Sequence, residues 1–132
     1  MQMQTPYAFG KTVTASFDTT EQKVRSELQK EGFGILSEID VTAKFKEKLC
    51  KDFRRYIILG ACNPVLAWEA FQHEMNIGTL LPCNVVVYTV DETSTAVMIM
   101  DPVAALALIG NPEVSGLALM VKEKLERVMV QI

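Results

Sequence analysis

The residues with the clearest chemical potential are two copies of one dipeptide, Cys62-Asn63 and Cys83-Asn84. A cysteine thiolate is a nucleophile and a metal ligand, and its reactivity follows its pKa. The asparagine carboxamides can donate hydrogen bonds to a bound anion, or they can cap and turn the chain. Asn63-Pro64 has the form of a helix start, a capping side chain followed by a proline at the first helical position. Cys62 would then stand beside a helix N-terminus, where the positive end of the helix dipole biases a thiol toward thiolate. On this reading Cys62 is the candidate catalytic thiol, and Cys62, Asn63, Cys83 and Asn84 are the candidate ligand-binding residues. The competing reading is two inert core thiols, since cysteine is among the residues most often fully buried.

Cys62 and Cys83 are also the candidate metal ligands. Neither has a CxxC partner, and a four-ligand zinc site would have to draw on His73, Glu69 and Glu74. Cys50, late in a basic segment, is expected to be incidental. Met98, Met100, Met120 and Met129 suit core filling better than a metal-binding box. His73 is the only histidine, so a Ser-His-Asp arrangement would have to use it; beside Gln72 and Glu74 it reads as a solvated helix residue. The chain has no GxxxxGK[ST], GxGxxG, GxSxG or HExxH pattern, and its seven glycines are scattered. These residues leave the cofactor unknown, and they favour a binding domain over an enzyme.

Composition sets the outer limits. A chain of 132 residues, 49% hydrophobic and 22% charged, has the make-up of one folded domain spanning residues 1–132. Thirteen basic against sixteen acidic residues give a net charge of −3. That argues against a nucleic-acid partner or an anionic membrane surface. No stretch approaches the length of a membrane span, and the N-terminus lacks the basic and apolar regions of a secretory signal. Three cysteines without a close-spaced framework suit reduced thiols and a cytoplasmic location.

The elements that must position these residues follow from periodicity. Phe9, Val13, Ala15 and Phe17 alternate with polar neighbours, which predicts a strand with one buried face. Asp18-Thr19-Thr20-Glu21 has the spacing of a capping box and opens a helix ending near Glu31, with Gly32 as its stop. Phe33 to Val41 alternates again, imperfectly at Leu36 and Ser37, and predicts a second strand. A short lysine-rich amphipathic helix follows around Phe45 and Leu49. Tyr56-Ile57-Ile58-Leu59 is continuously apolar and belongs centrally in a sheet. A helix from Asn63-Pro64 runs to about Glu74. Val85–Tyr88 and Ala96–Met100 flank the polar stretch 91–95 and predict an antiparallel hairpin. Asp101-Pro102 and Asn111-Pro112 start two more helices. In the last, Val114, Leu117, Ala118, Val121, Leu125 and Val128 form a stripe that needs a partner surface, with Glu123 and Arg127 as an outer pair. If the strands flanking the Asn63 helix are antiparallel, the two Cys-Asn pairs meet at one sheet edge. If they are parallel, the thiols lie at opposite ends.

The runs Gly60-Ala61-Cys62-Asn63-Pro64 and Leu80-Leu81-Pro82-Cys83-Asn84, joined by a helix, resemble the bacterial and archaeal domain-of-unknown-function family 302. Glu38-Ile39-Asp40-Val41 with the lysine-rich helix, and Asp101-Pro102, share the resemblance, which covers nearly the whole chain. It implies an α+β fold, a curved and mainly antiparallel sheet of about five strands packed against helices, of the TATA-box-binding-protein-like class. It also implies antiparallel strands at the Cys-Asn pairs and a homodimer, which the exposed edges of such a sheet make plausible. It supplies no activity. Three functions are open on this basis: a small binding domain with a ligand or metal at the Cys-Asn edge, a thiol or persulfide-handling protein acting through Cys62, and a structural dimer with no small-molecule site.

Overall fold

A computed structural model describes residues 1–132. The chain is α+β, with one six-stranded sheet, antiparallel throughout, in the order β1-β2-β6-β5-β4-β3. In chain order the elements are β1 (Gln2–Gln4), β2 (Ala8–Val13), α1 (Phe17–Lys30), β3 (Gly34–Asp40), α2 (Val41–Leu49), β4 (Tyr56–Cys62), α3 (Pro64–His73), β5 (Cys83–Thr89), β6 (Thr95–Met100), α4 (Pro102–Leu106) and α5 (Pro112–Gln131). Short 3₁₀ turns cover Met75–Leu80 and Ala107–Ile109. The sixth strand is β1, paired to β2 with Met3 opposite Gly10. Three residues without a β-branched side chain give too little periodicity to predict it.

Three of the local expectations are corrected. The first strand stops at Val13, and Ser16, not Asp18, caps α1, its hydroxyl accepting the Thr19 N–H. Asp18 sits in the first turn and pairs with Arg55 at 2.9 Å. Arg127 pairs with Glu31 at 3.0 Å and not with Glu123, because the end of α1 lies alongside α5 and offers a carboxylate across the gap between helices. The irregular alternation at Leu36 and Ser37 has a structural cause, a register shift between Ile35 and Ser37 in the pairing of β3 with β4.

The core lies between one face of the sheet and the helices α1 and α5. Leu59, Val85, Val87, Val97 and Ile99 from β4, β5 and β6 meet Val24 and Leu28 of α1 and Leu125 of α5, all fully buried. Each contributes about 1.5–3 kcal/mol by leaving water. The stripe on α5 is divided between two partners. Leu125, Val128 and Met129 pack in the sheet core, whereas Val114 and Ala118 join Ala70, Ile77 and Leu106 in a smaller cluster with α3 and α4. No helix is long and apolar enough to cross a membrane.

All three Asx-Pro pairs are helix starts. Asn63 Oδ1 accepts the Leu66 N–H at 3.3 Å, and Asn111 Oδ1 accepts the Glu113 N–H at 3.0 Å. Asp101 accepts the N–H groups of Val103 and Ala104 at 2.9 and 3.2 Å. It also takes a charge-assisted bond from Lys122 of α5 at 2.9 Å. Burial raises the Asp101 pKa, but the Lys122 ammonium and the two N–H donors outweigh it, and the net shift is downward. The stabilisation from the ionised carboxylate is therefore present at neutral pH and lost as pH falls through the acid range. Asp101→Ala is expected to cost about 2 kcal/mol in a urea melt at pH 7, from a lost cap and a lost half-buried ion pair. Asp101→Asn, which keeps a capping oxygen, should cost distinctly less, and the gap between wild type and Asp101→Ala should narrow below pH 4.

Candidate functional site

Cys62 is the last residue of β4, immediately before the α3 cap, and Cys83 is the first residue of β5. The two strands pair antiparallel with Ala61 opposite Cys83, so the end of one strand and the start of the next share an edge. Gly60 makes the approach of the second segment possible. A Cβ there would run into Ser37 Oγ and lie 2.7 Å from Pro82 Cγ. Cys83 is buried, Cys62 half-buried, and both are free thiols, as is the exposed Cys50.

Cys62, Asn63 and Cys83 line one cavity of about 40 Å³. Its walls are apolar: Phe33 and Ala61 on the sheet side, Leu66 and Ala70 of α3, Leu106 of α4, and Val114 and Ala118 of α5. Asn84 is not among them. Side chains along β5 alternate, so while Cys83, Val85 and Val87 face the core, Asn84 projects from the opposite face of the sheet with Val86 and Tyr88. Three of the four expected residues thus come together, and the fourth lies across the sheet.

The electrostatics run against the expected thiolate. Burial pushes the Cys62 thiol up from its ordinary value despite the adjacent helix N-terminus. Burial pushes Cys83 up to about 11, and the nearby Cys62 adds to the shift. The physical reason is that a thiolate in this cavity would lose its hydration and face almost only carbon atoms. The first turn of α3, moreover, is already served by Asn63. That carboxamide is committed at both ends, its oxygen to the Leu66 N–H and its Nδ2 donating to the Glu31 carbonyl at 3.4 Å. Asn63 positions α3 against the end of α1, with its oxygen and one of its two Nδ2 hydrogens already committed.

No group of three or more His, Cys, Asp and Glu side chains is placed to hold a metal ion. His73, at the far end of α3, is about 14 Å along the helix from Pro64, which itself follows the Cys62-Asn63 pair. Its Nδ1 faces the Glu113 carboxylate at the start of α5. This pairing replaces the solvated histidine expected from sequence. What the residue types did not announce is a second concavity, about 520 Å³, on the opposite face of the sheet, lined by Tyr7, Tyr56, Asn84, Val86, Tyr88 and Met98 among others. The available signal was the apolar runs of β4, β5 and β6, which carry apolar residues at both phases of the strand period.

An antiparallel sheet with two helices across one face and a pair of thiols at the β4–β5 edge defines a small α+β domain. The sequence profile described as Domain of unknown function DUF302 matches residues 9–132, and the chain belongs to that family. Its structure is similar to a crystal structure described as that of the uncharacterized conserved protein DUF302 from Bacillus stearothermophilus. The TM-score is 0.86 and the identity 26%, over 94% of this chain and 96% of that one. No curated protein matches the chain.

The raised thiol pKa values set a sign for alkaline stability. With a folded-state value near 11 for Cys83, the native state holds its proton at pH values where the unfolded thiol has lost it. Stability is then unaffected below pH 9 and falls between pH 9 and about 11. Chemical denaturation across this range is expected to show about 2 kcal/mol more loss in wild type than in Cys83→Ala. Equal slopes for the two proteins would contradict the shift.

Proposed function

We propose that the chain is a small non-catalytic binding domain whose ligand, a small soft species, sits between Cys62 and Cys83. The observation that carries this reading is the shared cavity, with two thiols and otherwise mainly apolar walls. A space of about 40 Å³ has room for roughly one to three water-sized species. Apolar walls favour a ligand without a hydration shell to lose. Soft sulfur donors select soft ions over the oxygen-seeking ones. Two thiols without a third ligand exclude a tetrahedral zinc set and leave a low-coordinate soft ion, or a small neutral molecule, as occupant. Asn63 enters this reading as the residue that fixes the cavity wall, and Asn84 has no part in it.

The thiol-transfer alternative asks more of Cys62. A nucleophile or persulfide carrier needs a thiolate near neutral pH, and burial moves Cys62 the other way. Three free thiols accord with a reducing compartment, and the cytoplasm is our proposal for its location.

Silver(I), titrated into Cys50→Ser protein against a chromophoric competitor, probes the cavity without the exposed third thiol. One equivalent should bind, and Cys62→Ser or Cys83→Ser should weaken it by at least about a hundredfold, since a single sulfur cannot hold the ion alone. Failure to take up silver, or uptake indifferent to both serine substitutions, would overturn the reading. Iodoacetamide provides a second check: in wild type Cys50 should react first at pH 7.5, with Cys62 and Cys83 reacting only as pH rises past 9.

A further inference from the structure

Asn84, which the thiol cavity leaves unused, opens on the other side of the sheet into the concavity of about 520 Å³. That size lies within the ~300–1,000 Å³ of sites that hold small organic molecules. Its floor is apolar. Val86 and Met98 pair across β5 and β6, and Met98 lies over Gly10 of β2, where a Cβ would come within 2.7 Å of its Sδ. At one end Tyr56 and Tyr88 stand as a stacked pair, ring centroids 5.3 Å apart and planes 7° from parallel. At the other end Tyr7, 67% exposed, precedes Ala8 at the start of β2. Tyr88 sits opposite Ala96 and Ala8 opposite Met100, so the two end walls are separated by about 13 Å of β6 at ~3.3 Å per residue.

Two features define the chemistry of a ligand. No charged residue lines the concavity, so an ion would lose water there without gaining a partner, whereas a neutral molecule would not. Hydrogen-bonding groups do line it. Burial raises the Tyr56 pKa, and the phenols of Tyr88 and Tyr7 are near enough to raise it further, so three hydroxyls from separate parts of the chain face one space. The side-chain hydrogen bonds formed here are those of Thr5 Oγ1, which accepts the Tyr7 N–H and donates to the Ala8 carbonyl. The three phenols and the Asn84 carboxamide are left for a ligand.

We propose that this concavity binds a neutral, planar, fused-ring aromatic molecule with carbonyl oxygens on its edge. The rings lie on Val86 and Met98, between the stacked tyrosines and Tyr7. A flat ring system suits a floor set by the pleat of two strands, and the length between the walls suits fused rings better than a single ring. The tyrosine rings meet it by offset or edge contacts, and the Met98 thioether adds a sulfur–aromatic contact. The edge oxygens accept hydrogen bonds from the tyrosine hydroxyls and from Asn84 Nδ2, groups that otherwise bond only to water. Charge is matched as well, a neutral ligand in an uncharged site.

Lumichrome, a neutral fluorescent alloxazine with carbonyl oxygens on its edge, is a suitable probe, titrated with the full chain and followed by fluorescence anisotropy. Saturable binding of one equivalent is expected. Tyr88→Ala and Tyr7→Ala should each weaken it at least about fivefold through lost aromatic contact. Tyr88→Phe, which keeps the ring, should weaken it less than Tyr88→Ala. Asn84→Leu, which keeps the bulk and removes the amide, should cost about three- to tenfold. Tyr7 and Asn84 are exposed, so their variants decide the matter should Tyr88→Ala not fold by far-UV circular dichroism. Wild type that fails to bind lumichrome overturns the proposal, as does an affinity unchanged in the folded variants. A wild-type dimer in sedimentation that excludes lumichrome would put a second copy on this face and overturn it equally. Cys62→Ser and Cys83→Ser should bind lumichrome as wild type does, so this site stands or falls separately from the thiol cavity.

Discussion

The constraint on which the structure depends is that the core face of β4, β5 and β6 must be kept dry by two helices alone. α1 and α5 therefore have to lie close together along their whole overlap, and the end of α1 is where they are fastened. There the Glu31 carboxylate holds Arg127 of α5, while the Glu31 carbonyl accepts Asn63 Nδ2 at the start of α3. Gly32, at φ 86°, lets the chain turn out of the helix at that point, and a Cβ there would press on Asn63 Nδ2 at 3.2 Å. One junction thus sets the spacing of three helices, and the thiol cavity is the space left beneath it.

The asparagine and aspartate caps extend the same logic around the domain. Asn63 ties α3 back to α1, Asn111 ties α5 back to the His73 carbonyl at the end of α3, and Asp101 ties α4 to Lys122 of α5. Each side chain satisfies backbone donors of its own helix and, with its remaining atoms, reaches a neighbouring helix. Capping and tertiary packing are here one set of bonds. The cavity between Cys62 and Cys83 is bounded by elements so connected, which accounts for its small size.

Much of this was legible in the sequence. Period-two alternation located β2 and β3, and two β-rich runs about a polar loop located the β5–β6 hairpin. The apolar run at Tyr56–Leu59 located a strand inside the sheet, though next to its edge and not at its centre, and three Asx-Pro pairs marked three helix starts. Partners set by tertiary contact were not legible. Arg127 has acidic neighbours on its own helix, and only the fold shows that Glu31 is nearer. The meeting of Cys62 with Cys83 followed from an antiparallel order that local pattern left open. The departure of Asn84 follows from strand alternation alone, because adjacent residues on β5 cannot face the same way. The thiol pKa shifts depended on the apolar lining, which gathers residues from the whole length of the chain and has no local signature.

The proline after each capping asparagine has a bearing on how long the fold lasts as a covalent object. An asparagine ages chiefly when the nitrogen of the following peptide attacks its side-chain carbonyl and expels ammonia. Proline's ring nitrogen carries no hydrogen and cannot complete that step. Asn63 and Asn111, whose conversion to aspartate would put a negative charge where an amide now donates to a carbonyl, are each followed by proline. The residue that shapes the first turn of each helix also protects the chemical identity of its cap.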